Sequence, residues 1–299
     1  STSVMNRFLS QQAKEAVICV AAGNEGEMPI ALKKKFGKAR ETVKTFLAPS
    51  EPDTLQMGSK TYYNFRNGQI AAYGKDSTEF EFRIVVVNTK QNNRPVLSIS
   101  VPHNTQGGTI ICASDDQYVT NSKAVNKTFA KAFDGYVSAA SEIDSETGRY
   151  YVFAEVMTSD NQLTNQDGTY KLAMEITSKK AGQSVEVYTD AQNIYFDSNR
   201  QSGYVNGSRN GTISDMACAA NIITVGSYNV RNRIPSLDGY LYSFNGGKKT
   251  ELYPIGEVSQ FSSFGTLGDG RNLPHVCAPG ATVIASVNTY AVENPDMDY

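Results

Sequence analysis

Tryptophan is absent from this sequence, and histidine occurs only twice, as His103 and His275. Without tryptophan the strongest sugar-stacking side chain is missing. An excess of one charge is missing too: 28 basic and 30 acidic residues leave a net charge of −2. No basic field therefore favours nucleic acid or anionic lipid. The one dense basic cluster, Lys33-Lys34-Lys35 with Lys38 and Arg40, is short and reads as a solvated face. The four cysteines, Cys19, Cys112, Cys218 and Cys277, lack paired spacing. They suit buried free thiols, not a disulfide framework or a zinc site, and Cys19 reads as a small hydrophobe inside an apolar strand. No apolar run approaches the roughly 20 residues of a membrane span. No signal-peptide pattern opens the chain, and Ser1 stands just before a helical pattern, so an excised piece of a longer polypeptide is expected.

What is present is enough to fold. Hydrophobic residues make up 40% and charged residues 19% of 299 positions, which suits one large domain with an insertion, or two domains. Residues 3 to 15 predict a helix, with Ser3 as N-cap and Val4, Phe8, Leu9, Ala13 and Ala16 near the 3.6 period. Residues 16 to 22 form a continuous apolar run, the pattern of a strand buried on both faces of a parallel sheet. Gly23 and Gly26 break it. Helix, strand and glycine turn in this order predict an α/β unit with function at the strand's carboxyl end.

From about Met28 short β-rich segments take over: Glu41 to Leu47, Phe80 to Asn88, Val96 to Val101, Tyr150 to Met157, Tyr170 to Thr177 and Ser184 to Tyr188. Turn-formers separate them, among them Asn67-Gly68, Asn92-Asn93, Gly107-Gly108, Asp134-Gly135, Asp167-Gly168 and Ala181-Gly182. Such spacing predicts an antiparallel sandwich or barrel. A small-residue stretch from Ser214 to Ala220 then leads into Ile222-Ile223-Thr224-Val225-Gly226, a second buried strand. Residues 231 to 257 read as a loop or hairpin excursion, with Asp238-Gly239 and Gly246-Gly247 as turns.

Asn24 sits in the glycine turn where the first buried strand ends. Glycine there permits close approach of a substrate backbone, and a side-chain amide on so rigid a support can donate a hydrogen bond to developing oxyanion charge. Local sequence alone favours a plainer role, an asparagine that tolerates a left-handed turn conformation.

Two blocks of residues change that balance. Ala21-Ala22-Gly23-Asn24-Glu25-Gly26 resembles the segment of subtilisin-like serine peptidases whose Asn completes the oxyanion hole. Ala220 to Ser227, Phe261-Ser262-Ser263-Phe264-Gly265, Pro274 to Gly280 and Val283-Ile284-Ala285-Ser286 resemble, in the same order, the approach to that family's nucleophile helix. The resemblance covers about 30 residues at the front and 85 at the back. It implies an oxyanion donor in Asn24, and a wall of the substrate pocket in Ala21, Ala22 and Gly23.

The family's catalytic triad runs Asp, His, Ser along the chain. Its usual Asp-Thr-Gly or Asp-Ser-Gly, His-Gly-Thr and Gly-Thr-Ser-Met-Ala patterns do not occur here. Neither histidine opens a helix with a glycine after it, so both read as structural or surface residues. Ser1-Thr2-Ser3-Val4-Met5 is only superficially similar to the nucleophile motif, since it lies about one helix before Asn24. Tyr299 falls about where the nucleophile segment should begin. The expectation is a fragment between the family's His and its Ser, unable to acylate alone.

The resemblance implies a subtilisin-like parallel-sheet domain in two pieces, 1–27 and 214–299, interrupted at 28–213 by an antiparallel β-sandwich. Some bacterial subtilases, including clostridial Csp-type proteases, carry a jelly-roll domain at this point, where it braces the protease domain. Gly168 to Leu172 and Val185 to Tyr188 are similar in layout. An alternative is a non-catalytic recognition or scaffold protein, a pseudoprotease binding protein or glycan through Tyr62, Tyr63, Tyr73, Tyr136, Tyr150 and Tyr151. Aromatics alternating along strands are more often core. Asp115-Asp116 and Asp144 with Glu146 lack calcium-loop spacing, so neither metal nor cofactor is expected. A polypeptide substrate and an extracytoplasmic location are what the family implies.

Overall fold

A computed structural model describes residues 3–49, 54–101, 103, 109–113, 123–190, 194–235, 239–243 and 253–283; Thr54, Met57, residues 109–113 and residues 123–125 are described by backbone only. Gly107-Gly108, Asp115-Asp116, Gly246-Gly247 and Ile284-Ala285-Ser286 lie outside these residues. The content is mostly strand, with both parallel and antiparallel sheets. The chain divides into two compact units. One joins Ser1–Glu27 to Asn210–Tyr299, and the other is the continuous stretch Met28–Arg209.

The first unit contains a three-stranded sheet in the order Cys19–Ala21, Ile223–Asn229, Val276–Ala281. All pairings are parallel, with Cys19 opposite Ile223 and Val225 opposite Val276. The expected helix is realised as Val4–Gln12, and Ser3 Oγ accepts the Asn6 N–H at 3.2 Å as N-cap. Its anchoring is polar. Ser3 Oγ donates to Asp215 at 2.8 Å and Asn6 Nδ2 to the same carboxylate at 3.1 Å, while Val4, Met5 and Phe8 are exposed.

The apolar run of 16 to 22 is not buried on both faces. Only Cys19–Ala21 forms strand, at the sheet's edge, and Cys19 and Ala21 are exposed together with Ile223 and Val276. The reading of Cys19 as buried therefore fails, because an edge strand in a sheet covered on one side presents every second residue to solvent. Cys277 is exposed as well; Cys218, by contrast, is half-buried, and burial pushes its thiol up. The covered side is closed by a serine-rich loop. Ser227 N–H donates to Ser262 Oγ at 2.9 Å, the hydroxyls of Ser227 and Ser259 meet at 2.8 Å, and Ser259 Oγ donates to Asn229 Oδ1 at 2.9 Å. These bonds satisfy polar groups that burial would otherwise penalise.

The second unit consists of two antiparallel sheets. One runs Ala31–Lys35, Ser184–Thr189, Lys60–Gly74, Tyr150–Asp160, Phe133–Ile143, Thr109–Ala113, with Thr54–Met57 also pairing Lys60–Gly74. The other runs Ile194–Asp197, Thr42–Pro49, Tyr170–Thr177, Glu81–Asn88, Arg94–Ser100. Inward residues of both sheets, such as Ile70, Val152 and Val187 from the first and Phe82, Leu172 and Ile176 from the second, share one apolar core. That is the period-2 pattern of half-buried strands. The five-stranded sheet is also covered on its outer side, where Tyr204 stacks on Phe46 at 4.1 Å beside Val85 and Val87. A buried ion pair, Arg66 Nη1 to Asp160 Oδ1 at 3.0 Å, is completed by Asn64 Nδ2 to Asp160 at 2.8 Å and Arg66 Nε to Leu47 O at 3.0 Å.

Two expected turns are strand interior. Asn67-Gly68 lies in Lys60–Gly74, where a β-carbon on Gly68 would press on Asp190 and Ile194. Asp134-Gly135 lies in Phe133–Ile143, where Gly135 (φ +104°) admits the backbone of Met157. In both cases glycine serves close approach, not chain reversal. The basic cluster is likewise strand in part: Ala31–Lys35 buries Leu32, and Lys34 pairs with Glu41 at 2.6 Å. The two ends of the unit are tied together. Ala31 N–H donates to Ser208 O at 3.1 Å, Ser208 N–H to Ala31 O at 2.6 Å, and Phe196 N–H to Pro29 O at 3.1 Å.

Candidate functional site

The glycine turn of residues 23–26 stands at the carboxyl end of Cys19–Ala21 and is fastened to residues 261–263. Gly26 N–H donates to Phe261 O at 2.8 Å, and Ser263 N–H to Gly23 O at 3.0 Å. Gly26 has no space for a side chain, since a β-carbon would overlap the Ser262 carbonyl. Gly23 takes φ +115°, where an added β-carbon would lie 2.7 Å from Glu25 Oε2 and 2.8 Å from Ser263 Oγ. The left-handed conformation at this turn thus belongs to Gly23. Asn24 is not among the residues with positive φ, so tolerance of that conformation does not account for it. Asn24 is exposed, and its carboxamide makes no hydrogen bond among the described residues, whereas its backbone N–H donates to Glu25 Oε2 at 2.9 Å.

The residues named with Asn24 are placed differently from one another. Ala21 is exposed in the edge strand. Ala22 is buried, its N–H donating to Val225 O at 2.8 Å and its carbonyl accepting from Ser214 N–H at 2.8 Å. Gly23 is half-buried in the turn. Two further residues complete the turn, Glu25 and Ser263, and sequence reasoning assigned neither of them a role. Both stand inside the motif blocks, but their pairing joins positions far apart in sequence. Arg271 steadies the frame: Nη1 donates to Ala219 O and Nη2 to Cys218 O, both at 2.9 Å, which fixes the turn leading into the central strand.

The histidines lie elsewhere. His275 Nδ1 accepts the Thr224 N–H at 3.0 Å, and its own N–H donates to Thr224 O at 2.9 Å, joining the outer to the central parallel strand. His103 is 3.4 Å from the hydroxyl of Tyr150, in the second unit. Tyr150 is core, edge-on to Phe80 at 5.0 Å, while Tyr73 and Tyr151 stack at 5.7 Å and are half-buried. Asp144 accepts the Thr147 and Glu146 N–H groups at 2.7 and 2.9 Å, which closes a hairpin. Among the described residues no three His, Cys, Asp or Glu side chains gather as a metal site, and no helix is long and apolar enough to cross a membrane.

Among the solved structures similar to this fold is the CspB protease of Clostridium perfringens. It superposes with a TM-score of 0.54 at 14% sequence identity, over 96% of this chain and 47% of that one. The likeness is therefore one of fold, and this chain spans about half the length of that relative. No functionally curated protein matches. The model of the subtilase family, peptidase S8, matches residues 1–298. With the ordered motif blocks and the turn built at the end of a parallel strand, that match shows that the chain belongs to the subtilase family.

Proposed function

We propose that this chain is the oxyanion-side portion of a subtilisin-like serine endopeptidase, and that it hydrolyses peptide bonds only together with triad residues from outside this stretch. The observation that carries the reading is Asn24: an exposed carboxamide without an internal partner, on a turn fastened at both ends, in a position its backbone conformation does not require. Such a donor is preorganised for charge that develops in the transition state. Ala21, Ala22 and Gly23 form the adjoining wall for the substrate residue before the scissile bond, with Ala22 acting through its buried backbone. The two-sheet unit is read as a jelly-roll-like insertion that braces the peptidase domain. The substrate is a polypeptide, and the family favours an extracytoplasmic site of action.

The test is covalent labelling of the complete polypeptide by a fluorophosphonate, read by intact mass, with residues 1–299 alone as the control. Labelling of the complete protein and not of the control is expected. A folded, processed complete protein that takes no label would overturn the reading. It would favour a second one, a pseudoprotease scaffold, whose support is the absence of any triad motif in this sequence.

A further inference from the structure

We infer that Glu25 is a positioning residue for Asn24, acting jointly with Ser263; the inference rests on the oxyanion reading of Asn24. Glu25 folds its carboxylate back over its own turn. Oε2 accepts the Asn24 backbone N–H at 2.9 Å and the Ser263 hydroxyl at 3.0 Å. Ser263 Oγ accepts the Glu25 N–H at 2.9 Å, and Ser263 N–H donates to the Gly23 carbonyl at 3.0 Å. Three consecutive backbone groups, the Gly23 carbonyl and the N–H groups of Asn24 and Glu25, are thereby held by two residues. Ser263 is fully buried, so its hydroxyl has a fixed seat.

The carboxylate does steric work as well. Oε2 stands 2.7 Å from where a β-carbon on residue 23 would fall, and the Ser263 hydroxyl 2.8 Å from it. The glycine, the acid and the serine therefore interlock, and the chain between them cannot rotate without breaking the hydrogen bonds that Glu25 Oε2 accepts. The residue whose orientation this fixes is Asn24, whose own side chain is left unengaged. A donor displaced by about 1 Å loses much of its value, up to roughly 10²-fold. A support for the backbone of Asn24 thus has a kinetic consequence without touching substrate.

The test compares E25A, E25Q and S263A. Gln keeps an acceptor oxygen for both donors, so it separates geometry from charge. In this chain, amide hydrogen exchange at Asn24 should accelerate on the order of tenfold in E25A and stay near wild type in E25Q. In the complete peptidase, E25A should lower kcat on the order of tenfold with KM little changed, and E25Q should restore it. S263A added to E25A should cost little more, because the two act as one unit. Wild-type exchange and wild-type kcat in E25A would overturn the inference. So would a loss in E25Q equal to that in E25A, which would mark a charge acting on substrate. If E25A does not fold, S263A carries the test: unchanged Asn24 exchange in it would overturn the pairing. Full activity in N24A would instead remove the oxyanion reading, and would leave the exchange result at Asn24 standing on its own.

Discussion

Glu25 and Ser263, 238 positions apart in sequence, hydrogen-bond each other in both directions: the Glu25 N–H donates to the serine oxygen at 2.9 Å, and the serine hydroxyl donates to the glutamate carboxylate at 3.0 Å. This pair joins the two chain segments of the first unit at the one turn that carries the oxyanion candidate. The turn is therefore as stable as the docking of the 261–263 loop, and disturbing either segment should disturb Asn24.

Asn24→Ala in the complete peptidase should lower kcat far more than it alters KM, since the donor acts on the transition state. Loss of the corresponding donor in subtilisin costs roughly 10²–10³-fold, a value belonging to that enzyme. Steady-state kinetics on a peptide substrate reads the effect, and unchanged kcat would remove the role.

Gly26→Ala should destabilise the first unit, because the new methyl group meets the backbone carbonyl of Ser262, which has no freedom to move aside. A loss of about 1–3 kcal/mol is expected, typical of overpacking. Urea unfolding monitored by amide exchange within residues 19–26 and 223–229 would measure it. Gly37→Ala gives the contrast, since Gly37 is outside the left-handed region and its added carbon would meet only Glu41 Oε2, at an ordinary 3.7 Å.

Asp160→Ala should cost about 3–5 kcal/mol, because it leaves the Arg66 guanidinium buried without its counter-charge. Replacing both residues by apolar ones of similar size should cost less than either single change. Chemical denaturation of the three variants decides this, and a mild effect of Asp160→Ala alone would contradict the buried-charge argument.

Acid should weaken the fold before any core side chain is touched. The Thr78 hydroxyl and N–H hold Asp76 below the ordinary carboxylate range, the Lys179 ammonium does so for Glu81, the Thr147 N–H for Asp144 and the Arg271 N–H for Asp269. Each is more acidic folded than unfolded, so its contribution is present above about pH 4 and is lost as pH falls through the lowered folded values. Thermal unfolding midpoints should be level from pH 7 to about 5 and should drop below about 4. Asp144→Asn should flatten part of that drop.

Much of the architecture was legible in the sequence because alternation is a local signal. The alternation predicts Tyr170–Thr177 at its observed bounds, and Ser184 to Tyr188 within one residue of the observed strand. The failures share a cause in contacts distant in sequence. Asn67-Gly68 looks like a hairpin turn, but Asp190 packs against that glycine and keeps the strand running through it. The apolar run of 16 to 22 looks like a central strand, yet the sheet order puts it at an edge. The glycine turn at Gly23 and Gly26 was legible through its motif. The partnership of Glu25 with Ser263 was not, because no local pattern links positions separated by the whole second unit.

The paired backbone bonds between Ala31 and Ser208 have a thermodynamic meaning for the rest of the chain. Once Met28–Arg209 has folded, Glu27 and Asn210 are no longer the ends of a long flexible excursion. They are joined by a short, stiff bridge. Closing a loop of that full length would cost about 3 kcal/mol more than closing one of a few residues, by the logarithmic scaling of loop entropy. The second unit carries that cost itself through its own core. The expected order follows: the continuous unit folds first and the parallel strands at Cys19 and Ile223 then meet as near neighbours along the chain, so amide protection during refolding should appear in Met28–Arg209 before Cys19–Ala21. A lesion in the two-sheet core would accordingly reach Asn24 through the kinetics of assembly.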